Sequence, residues 1–530
     1  MSQAKIAVDD VVCHMEIPDQ NIVVEGKFKV TQYNPDIFSM EFIPNNMVPF
    51  DPKKRNVEES HIYFLLHQIK SIQLTKQIGK AQVIYISFVI SKIPNQIRFV
   101  FKDGSDAIMN NFFNELKSMG LISAHNTYQD FYNVNAKCDK SFIFPQDSIT
   151  LTQANCLISH RNMLSTLPEL DSTQPPVSLS EFQQHLNEDG SLHDFQALKE
   201  HIFQSGLTNE ARPYAWPYLF GLFKPSMTLS DRTTFMAHNY ENYNVLVSQY
   251  ENQIQLQSRY INSLMVVKQD CFRIDSNAAM FEEGSRARTM IERILSCYHL
   301  YVPDIGYVQG MTDIAMPLFP VFFKSFKDND KVELYDNTLV DTKEAESIIF
   351  WNYVKLLEVS EQDALFGFMK ENQAFLAERV FAIISMNQLS TNERALSRWL
   401  IANNLNNLFF IYSSFLLQFK RNFPTESLLG IWDIIYSYEN PSAFIRFFTA
   451  AVLFLIFPEI ASVGTPQLGE IISLVDASIR KYETKQILEL AKRLLKKAKD
   501  NDSQSEWIFM NLPTFRKKVD NYPKYFSLKK

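Results

Sequence analysis

An N-terminal β-barrel closed by one C-terminal helix, followed by a large all-α domain, is the fold class that the sequence predicts, and three observations predict it. The 530 residues, 46% of them apolar, exceed what one ordinary domain holds, so two or three domains are expected. Only 14 glycines occur, far below the usual share of roughly 7%, against 43 phenylalanines, a balance that favours packed helices over folds built on tight turns. The first 125 or so residues alternate with period two, whereas most of the remainder carries apolar residues at helical spacing.

In the first segment, Gly26–Thr31 and Ile37–Phe42 flank Asn34-Pro35-Asp36 and read as a hairpin. Further strands are expected at His67–Thr75, Gln82–Ile90 and Gln96–Lys102. Asp103-Gly104 then turns the chain into Ala107–Met119, where Ile108, Phe112, Phe113 and Leu116 fall on one helical face. Several antiparallel strands closed by one helix is the pattern of a pleckstrin-homology-like (PH-like) domain, assigned here to residues 1–125.

Residues 126–191 read as a linker with short packed segments, because Pro145, Pro168, Pro175 and Pro176 interrupt it. The helical domain is assigned to 192–478, with one stripe at Met290, Ile291, Ile294, Leu295 and Tyr298 and another at Leu408, Ile411, Tyr412, Phe415 and Leu416. Phe447–Phe457 is the longest apolar run; at 11 residues it is too short for the roughly 20 of a membrane span and reads as a core helix. Residues 479–530 form a basic C-terminal helix and tail. From Arg480 to Lys530 there are 14 Lys plus Arg and 6 Asp plus Glu, a net of +8 in a chain whose total is −7. Ile487, Leu490, Ala491, Leu494, Leu495 and Ala498 give that helix an apolar face, expected to cap the core while its lysines stay solvated; contact with an anionic membrane or acidic partner is the other reading.

The overall charge does not suggest nucleic-acid binding. Five cysteines (Cys13, Cys138, Cys156, Cys271 and Cys297) without a Cys-x-x-Cys pair or an apolar leader point to a reducing, cytoplasmic setting. Cys156 with His160 lacks a second ligand pair for a metal, and Asp328-Asn329-Asp330 lacks the residues that would continue a calcium loop, leaving a solvated acidic loop. No glycine-rich phosphate loop and no nucleophile elbow occurs, so no nucleotide or hydrolase site of the chain's own is expected.

Three stretches mix polar residues into an apolar frame. Arg212 and Trp216 are four apart, so on a helix the guanidinium stem would lie along the indole. Asp270 and Arg273 are three apart and can pair on one turn. Gly306 and Gly310 bracket Tyr307, Val308 and Gln309, which suggests an exposed glutamine on an otherwise apolar loop or helix start. Each alone is a weak signal, with packing or a surface ion pair as its ordinary explanation.

Together, and in this order, they resemble the TBC domain, the catalytic module of Rab GTPase-activating proteins. Its stretches R-x-x-x-W, I-x-x-D-x-x-R and Y-x-Q-G match Arg212 with Trp216, Val267 with Asp270 and Arg273, and Tyr307 with Gln309 and Gly310. Further similarity lies at Ile349–Trp351, Phe419–Pro424 and Leu429–Asp433, and the resemblance runs from about Leu192 to Glu470. Val267, Val308 and Ile274 stand where the pattern has Ile, Cys and Thr. The N-terminal region looks like that of the subfamily with a Rab-binding segment ahead of its TBC domain.

The resemblance implies that the chain is no enzyme by itself but a GTPase activator, lending Arg273 as an arginine finger and Gln309 as a glutamine finger to a GTP-bound Rab. It needs no cofactor of its own, since GTP and magnesium belong to the partner. Asp270 would orient Arg273, and Tyr307, Gly310 and Asp313 would support the Gln309 loop. Arg212, Trp216, Trp432 and Asp433 are assigned to structure, while Lys268 and Arg288 are expected to be solvated. Peripheral association with endomembranes would come through the partner. Two other readings stay open, a catalytically silent adaptor that uses the fold as a docking surface and a purely structural helical scaffold. For the N-terminal domain, protein recognition is favoured over phosphoinositide binding, because the turn at Asn34-Pro35-Asp36 lacks a basic cluster.

Overall fold

The computed structural model describes residues 3–17, 20–49, 56–76, 82–88, 97–101, 106–135, 148–150, 174–252, 258–274, 280–367, 369–386, 389, 394–461, 468–499 and 506–510. Cys138, Cys156 and His160 lie outside them.

The N-terminal region is a ten-stranded sheet: β1 (Gln3–Ile17), β2 (Gln20–Asn34), β3 (Ile37–Pro44), β4 (His61–Leu65), β5 (Ile69–Lys76), β6 (Gln82–Phe88), β7 (Ile97–Phe101), β8 (Ile122–Ala124), β9 (Phe131–Val134) and β10 (Ser148–Thr150). The strands lie in the order 10-4-3-2-1-7-6-5-9-8, antiparallel except for the parallel β10–β4 pair. Helix α1 (Asp106–Ser118) follows β7 and packs Phe112, Phe113 and Leu116 into the sheet's core. Alternation works as expected on β2, where Phe28 and Val30 are buried while Lys27 stays exposed. Phe28 packs against Phe99 and Phe112 at ring separations of 4.9 and 5.8 Å. The two lysines on this strand are matched by acids, Lys27 with Asp9 at 2.9 Å and Lys29 with Glu41 at 3.0 Å.

Two strands escape the sequence pattern for a local reason. β1 carries a register shift between Val8 and Val11, which breaks its alternation, and β4 is only five residues long. β8, β9 and β10 carry the sheet to residue 150, well into the stretch expected to be a linker.

The second region is helical, with one large core running from Val177 to Ile508. The elements that build the site are α2 (Arg212–Leu219), α3 (Ser258–Phe272), α4 (Arg286–Tyr301), α5 (Met311–Ala315), α6 (Thr342–Val359), α7 (Thr425–Ser437), α8 (Pro441–Ala461), α9 (Leu468–Ile479) and α10 (Thr484–Lys499). The expectation of an all-α domain needs one correction. Between α5 and α6 a small antiparallel sheet forms from β11 (Phe323–Lys327), β12 (Lys331–Leu334) and β13 (Leu339–Asp341). The acidic loop is the three-residue connection of this sheet's first hairpin, between the paired Lys327 and Lys331, and it turns with Asn329 at φ 59° and Asp330 at φ 61°, both left-handed.

The apolar stripe on α4 is buried as expected. The stripe from Leu408 to Leu416 is not one helix. Leu408 takes φ 52°, and a 3₁₀ turn leads into a five-residue helix. α8 extends to 21 residues, long and apolar enough by composition to cross a membrane, so the length argument from its 11-residue apolar run does not hold. Burial decides its role, because 89% of its most apolar window lies inside the core.

Candidate functional site

Arg273 follows directly on α3. Val267 and Cys271 turn one face of this helix into the core, and the Arg273 N–H donates to the carbonyls of Gln269 (3.2 Å) and Asp270 (3.1 Å), continuing the last turn. The Arg273 side chain is left 63% exposed, with Nη1 3.7 Å from Asp270 Oδ1.

Gln309 is exposed on the segment joining α4 to α5, and its loop is shaped by its two glycines. Gly306 takes φ 68°, and a Cβ there would sit 2.7 Å from His299 Nδ1, the atom that accepts the Tyr307 N–H at 3.1 Å. Gly310 takes φ 99°, and a Cβ would meet Leu417 Cδ2 at 2.6 Å. The backbone therefore turns tightly on both sides of Gln309, with its outer face free.

One carboxylate joins the two exposed groups. Asp270 Oδ1 faces Arg273, while Oδ2 accepts the Tyr307 hydroxyl at 2.7 Å and the Gly310 N–H at 3.4 Å. The Tyr307 oxygen is also 2.8 Å from Thr312 Oγ1. Burial, reinforced by the Asp270 carboxylate, pushes the Tyr307 phenol well above its usual range, so it remains a donor. On the far side of the loop, Asp313 in the first turn of α5 accepts from Arg421 through Nη2 at 2.8 Å and Nε at 3.3 Å. Gln418 and Phe419, at φ 48° and 61°, bend the chain so that Leu417 covers Gly310 while Arg421 reaches Asp313.

Arg212, Trp216, Trp432 and Asp433 gather elsewhere, around a buried carboxylate. Asp433 on α7 accepts from Arg212 Nε (3.0 and 3.2 Å), Trp216 Nε1 (2.8 Å) and the Leu207 N–H (3.1 Å). The spacing of Arg212 and Trp216 thus serves one shared acceptor rather than direct stacking. Asp433 is fully buried and Arg212 nearly so, which makes this a pin between α2 and α7. Trp432 lies 6.1 Å from Trp216, ring to ring, and donates to the Gln418 carbonyl, linking the pin to the loop that backs Gly310.

One expectation is overturned. Arg288 on α4 is not a solvated side chain; it donates to the carbonyls of Phe281 (2.8 Å), Phe272 (3.0 Å) and Ile274 (2.7 Å). Two of these residues flank Arg273, so Arg288 clamps the turn that carries it. A lone arginine in a helix has no local signal for such a role. Lys268, in contrast, is 62% exposed and only 3.8 Å from Glu292.

The assembled site is an exposed pair, an arginine and a glutamine carried by one anchored frame. Among the described residues no cluster of His, Cys, Asp or Glu is suited to hold a metal. Such a pair can donate hydrogen bonds into a site on another molecule, and the amide can also accept.

Comparison with known proteins finds relatives of the helical region. Residues 209–460 match the family model of the Rab-GTPase-TBC domain. TBC1 domain family member 17 of Homo sapiens is 24% identical over 269 residues, which cover 50% of this chain and 37% of that protein. The GTPase-activating protein GYP7 of Yarrowia lipolytica is 24% identical over 304 residues, 52% of this chain and 38% of that protein. This chain therefore spans well under half the length of these relatives. The crystal structure of the Ypt/Rab-GAP domain of Gyp1p superposes with a TM-score of 0.50 at 17% identity, covering 61% of this chain and 98% of that one, and so shares the fold. Residues 209–460 of this chain are thus similar to the Rab-GTPase-TBC domain family, and the helical region has the fold of a solved Ypt/Rab-GAP domain.

Proposed function

We propose that this chain is a GTPase-activating protein for a Rab-family small GTPase in its GTP-bound state, with Arg273 as the arginine finger and Gln309 as the glutamine finger. The observation that carries this reading is the Asp270 carboxylate, which ties both exposed side chains to one frame. GTP hydrolysis spreads charge over the transferred phosphoryl group and the leaving oxygen, so catalysis is mainly positioning and charge stabilisation. Arg273 supplies a planar, permanently charged donor, and Gln309 holds the attacking water through its two-way hydrogen bonding. The partner brings the nucleotide and its magnesium; this chain contributes side chains and no complete active site. The sheet domain is a protein-recognition unit of the Rab-binding kind, a reading favoured by Lys27 and Lys29 being engaged by Asp9 and Glu41 rather than grouped for phosphate. The partner draws the chain to the surface of an endomembrane.

Single-turnover GTP hydrolysis across a Rab panel tests the proposal. The unsubstituted chain accelerates hydrolysis on at least one Rab, Arg273→Ala loses on the order of 10³-fold of that stimulation, and Gln309→Ala loses a comparable part. An adaptor that only docks would bind a Rab and leave its hydrolysis rate the same with or without Arg273.

A further inference from the structure

Arg273 shares its helix face with apolar groups. Phe272 is 74% exposed, the highest value for any large apolar side chain among the described residues, and Met265 and Val266 on α3 are exposed as well. With about 3.6 residues per turn, Met265, Val266, Gln269, Phe272 and Arg273 fall within an arc of roughly 120°. Arg273 belongs to that arc because its N–H still bonds back to Gln269. Val267 and Cys271 occupy the opposite side and are buried. From Met265 to Arg273 the outward arc holds three apolar residues, one amide and the arginine, and no carboxylate.

An isolated exposed apolar side chain on a protein surface is ordinary. Phe272 differs in where it sits and how it is held. Its carbonyl is fixed by Arg288 Nη1, so the ring projects from a clamped turn. A rigidly presented aromatic beside an arginine is the composition that carries most of the energy in protein interfaces. Consecutive Cα atoms are about 3.8 Å apart, and an extended arginine reaches roughly 6–7 Å beyond its own. A molecule that takes the Arg273 guanidinium into its nucleotide site therefore brings its surface onto Phe272.

We infer that the outward face of α3 is the apolar part of the contact with the GTPase, and that Phe272 is its anchor, seated in an apolar depression bordering the partner's nucleotide site. This rests on the proposed activity and adds a specificity determinant to it. A GTPase that places a charge opposite Phe272 is rejected, because that charge would be desolvated against the ring without a partner.

Initial rates at varied concentrations of a responsive GTP-loaded Rab, for Phe272→Ala, Phe272→Leu, Arg273→Ala and the unsubstituted chain, separate the possibilities. The expected result is a KM raised about tenfold or more in Phe272→Ala, the effect falling on KM rather than kcat, with Phe272→Leu recovering most of it. Arg273→Ala loses kcat instead. Full activity in Arg273→Ala overturns the finger reading and this inference with it. Loss in Arg273→Ala with an unchanged KM in Phe272→Ala overturns only the inference. So does a sedimentation coefficient that falls in Phe272→Ala while KM holds, which would assign the face to a second copy of this chain. Phe272 is exposed, so thermal unfolding midpoints should coincide, and that comparison separates a lost contact from a lost fold.

Discussion

Arg288 shows how much a single side chain can do for its neighbours. Its five donors serve three carbonyls, two of them on residues that flank Arg273. A lysine at this position could reach only part of that set, since an ammonium is a point donor without the guanidinium fork. Arg288→Ala should therefore reduce stimulated hydrolysis by on the order of 10²-fold, through misplacement of Arg273 rather than loss of a catalytic group. The split between kcat and KM checks this: Arg288→Lys should recover part of kcat, and a loss confined to overall stability would show as a lower unfolding midpoint with normal kcat. Arg273 and Gln309 are legible in the sequence because the spacings of their motifs are distinctive. Arg288 has no such pattern, since its partners are backbone carbonyls contributed by other elements.

At the scale of elements, α10 illustrates how charge and burial can be read separately. Its apolar face, Ile487, Leu490, Ala491, Leu494, Leu495 and Ala498, is buried in the same core as the rest of the helical region and packs on α7 and α8. Its lysines do not all stay in water. Lys492 is buried, donates to the Gln204 carbonyl at 2.8 Å, and is pushed down to about 8 by that burial. α10 is thus a structural member of the helical core. Leu494→Ala should cost about 2–5 kcal/mol, measured by urea unfolding of the full chain, because it leaves a cavity in the helical core. The Gln309 loop depends on elements in a different way, with α4 supplying His299 behind Gly306 and the bend at Gln418 and Phe419 supplying Leu417 behind Gly310.

At the scale of the molecule, a buried carboxylate ties stability to pH. Glu346 on α6 is fully buried, accepts the Tyr243 hydroxyl at 3.0 Å and lies 3.3 Å from Arg293 Nη1. Burial outweighs the arginine and raises the carboxyl from its usual value near 4.5 to about 7. A folded-state pKa above the unfolded one means that the native state holds the proton more tightly. The stabilising contribution is present in full below about 4.5 and is lost as pH rises towards 7. Glu346→Gln should remove that dependence, so unfolding midpoints of the two proteins converge at pH 5 and separate at pH 8, with the glutamine variant the more stable. Parallel midpoints across this range would place the titration elsewhere.

The sequence by itself determined the order of sheet and helices, the apolar stripe of α4, the buried face of α10 and the motif positions Arg273 and Gln309, because periodicity and spacing are local properties of a chain. Only the tertiary structure decided that Asp270 serves both exposed side chains, that Asp433 is the shared acceptor for Arg212 and Trp216, that Arg421 braces Asp313 and that Arg288 clamps the turn around Arg273. It also decided the small sheet between α5 and α6 and the reach of the N-terminal sheet to residue 150. The small sheet is a local hairpin structure, and the other features share one physical reason. A hydrogen bond between residues tens to hundreds of positions apart depends on where packing brings their elements together, and neither partner's own surroundings in the sequence encode the other's position.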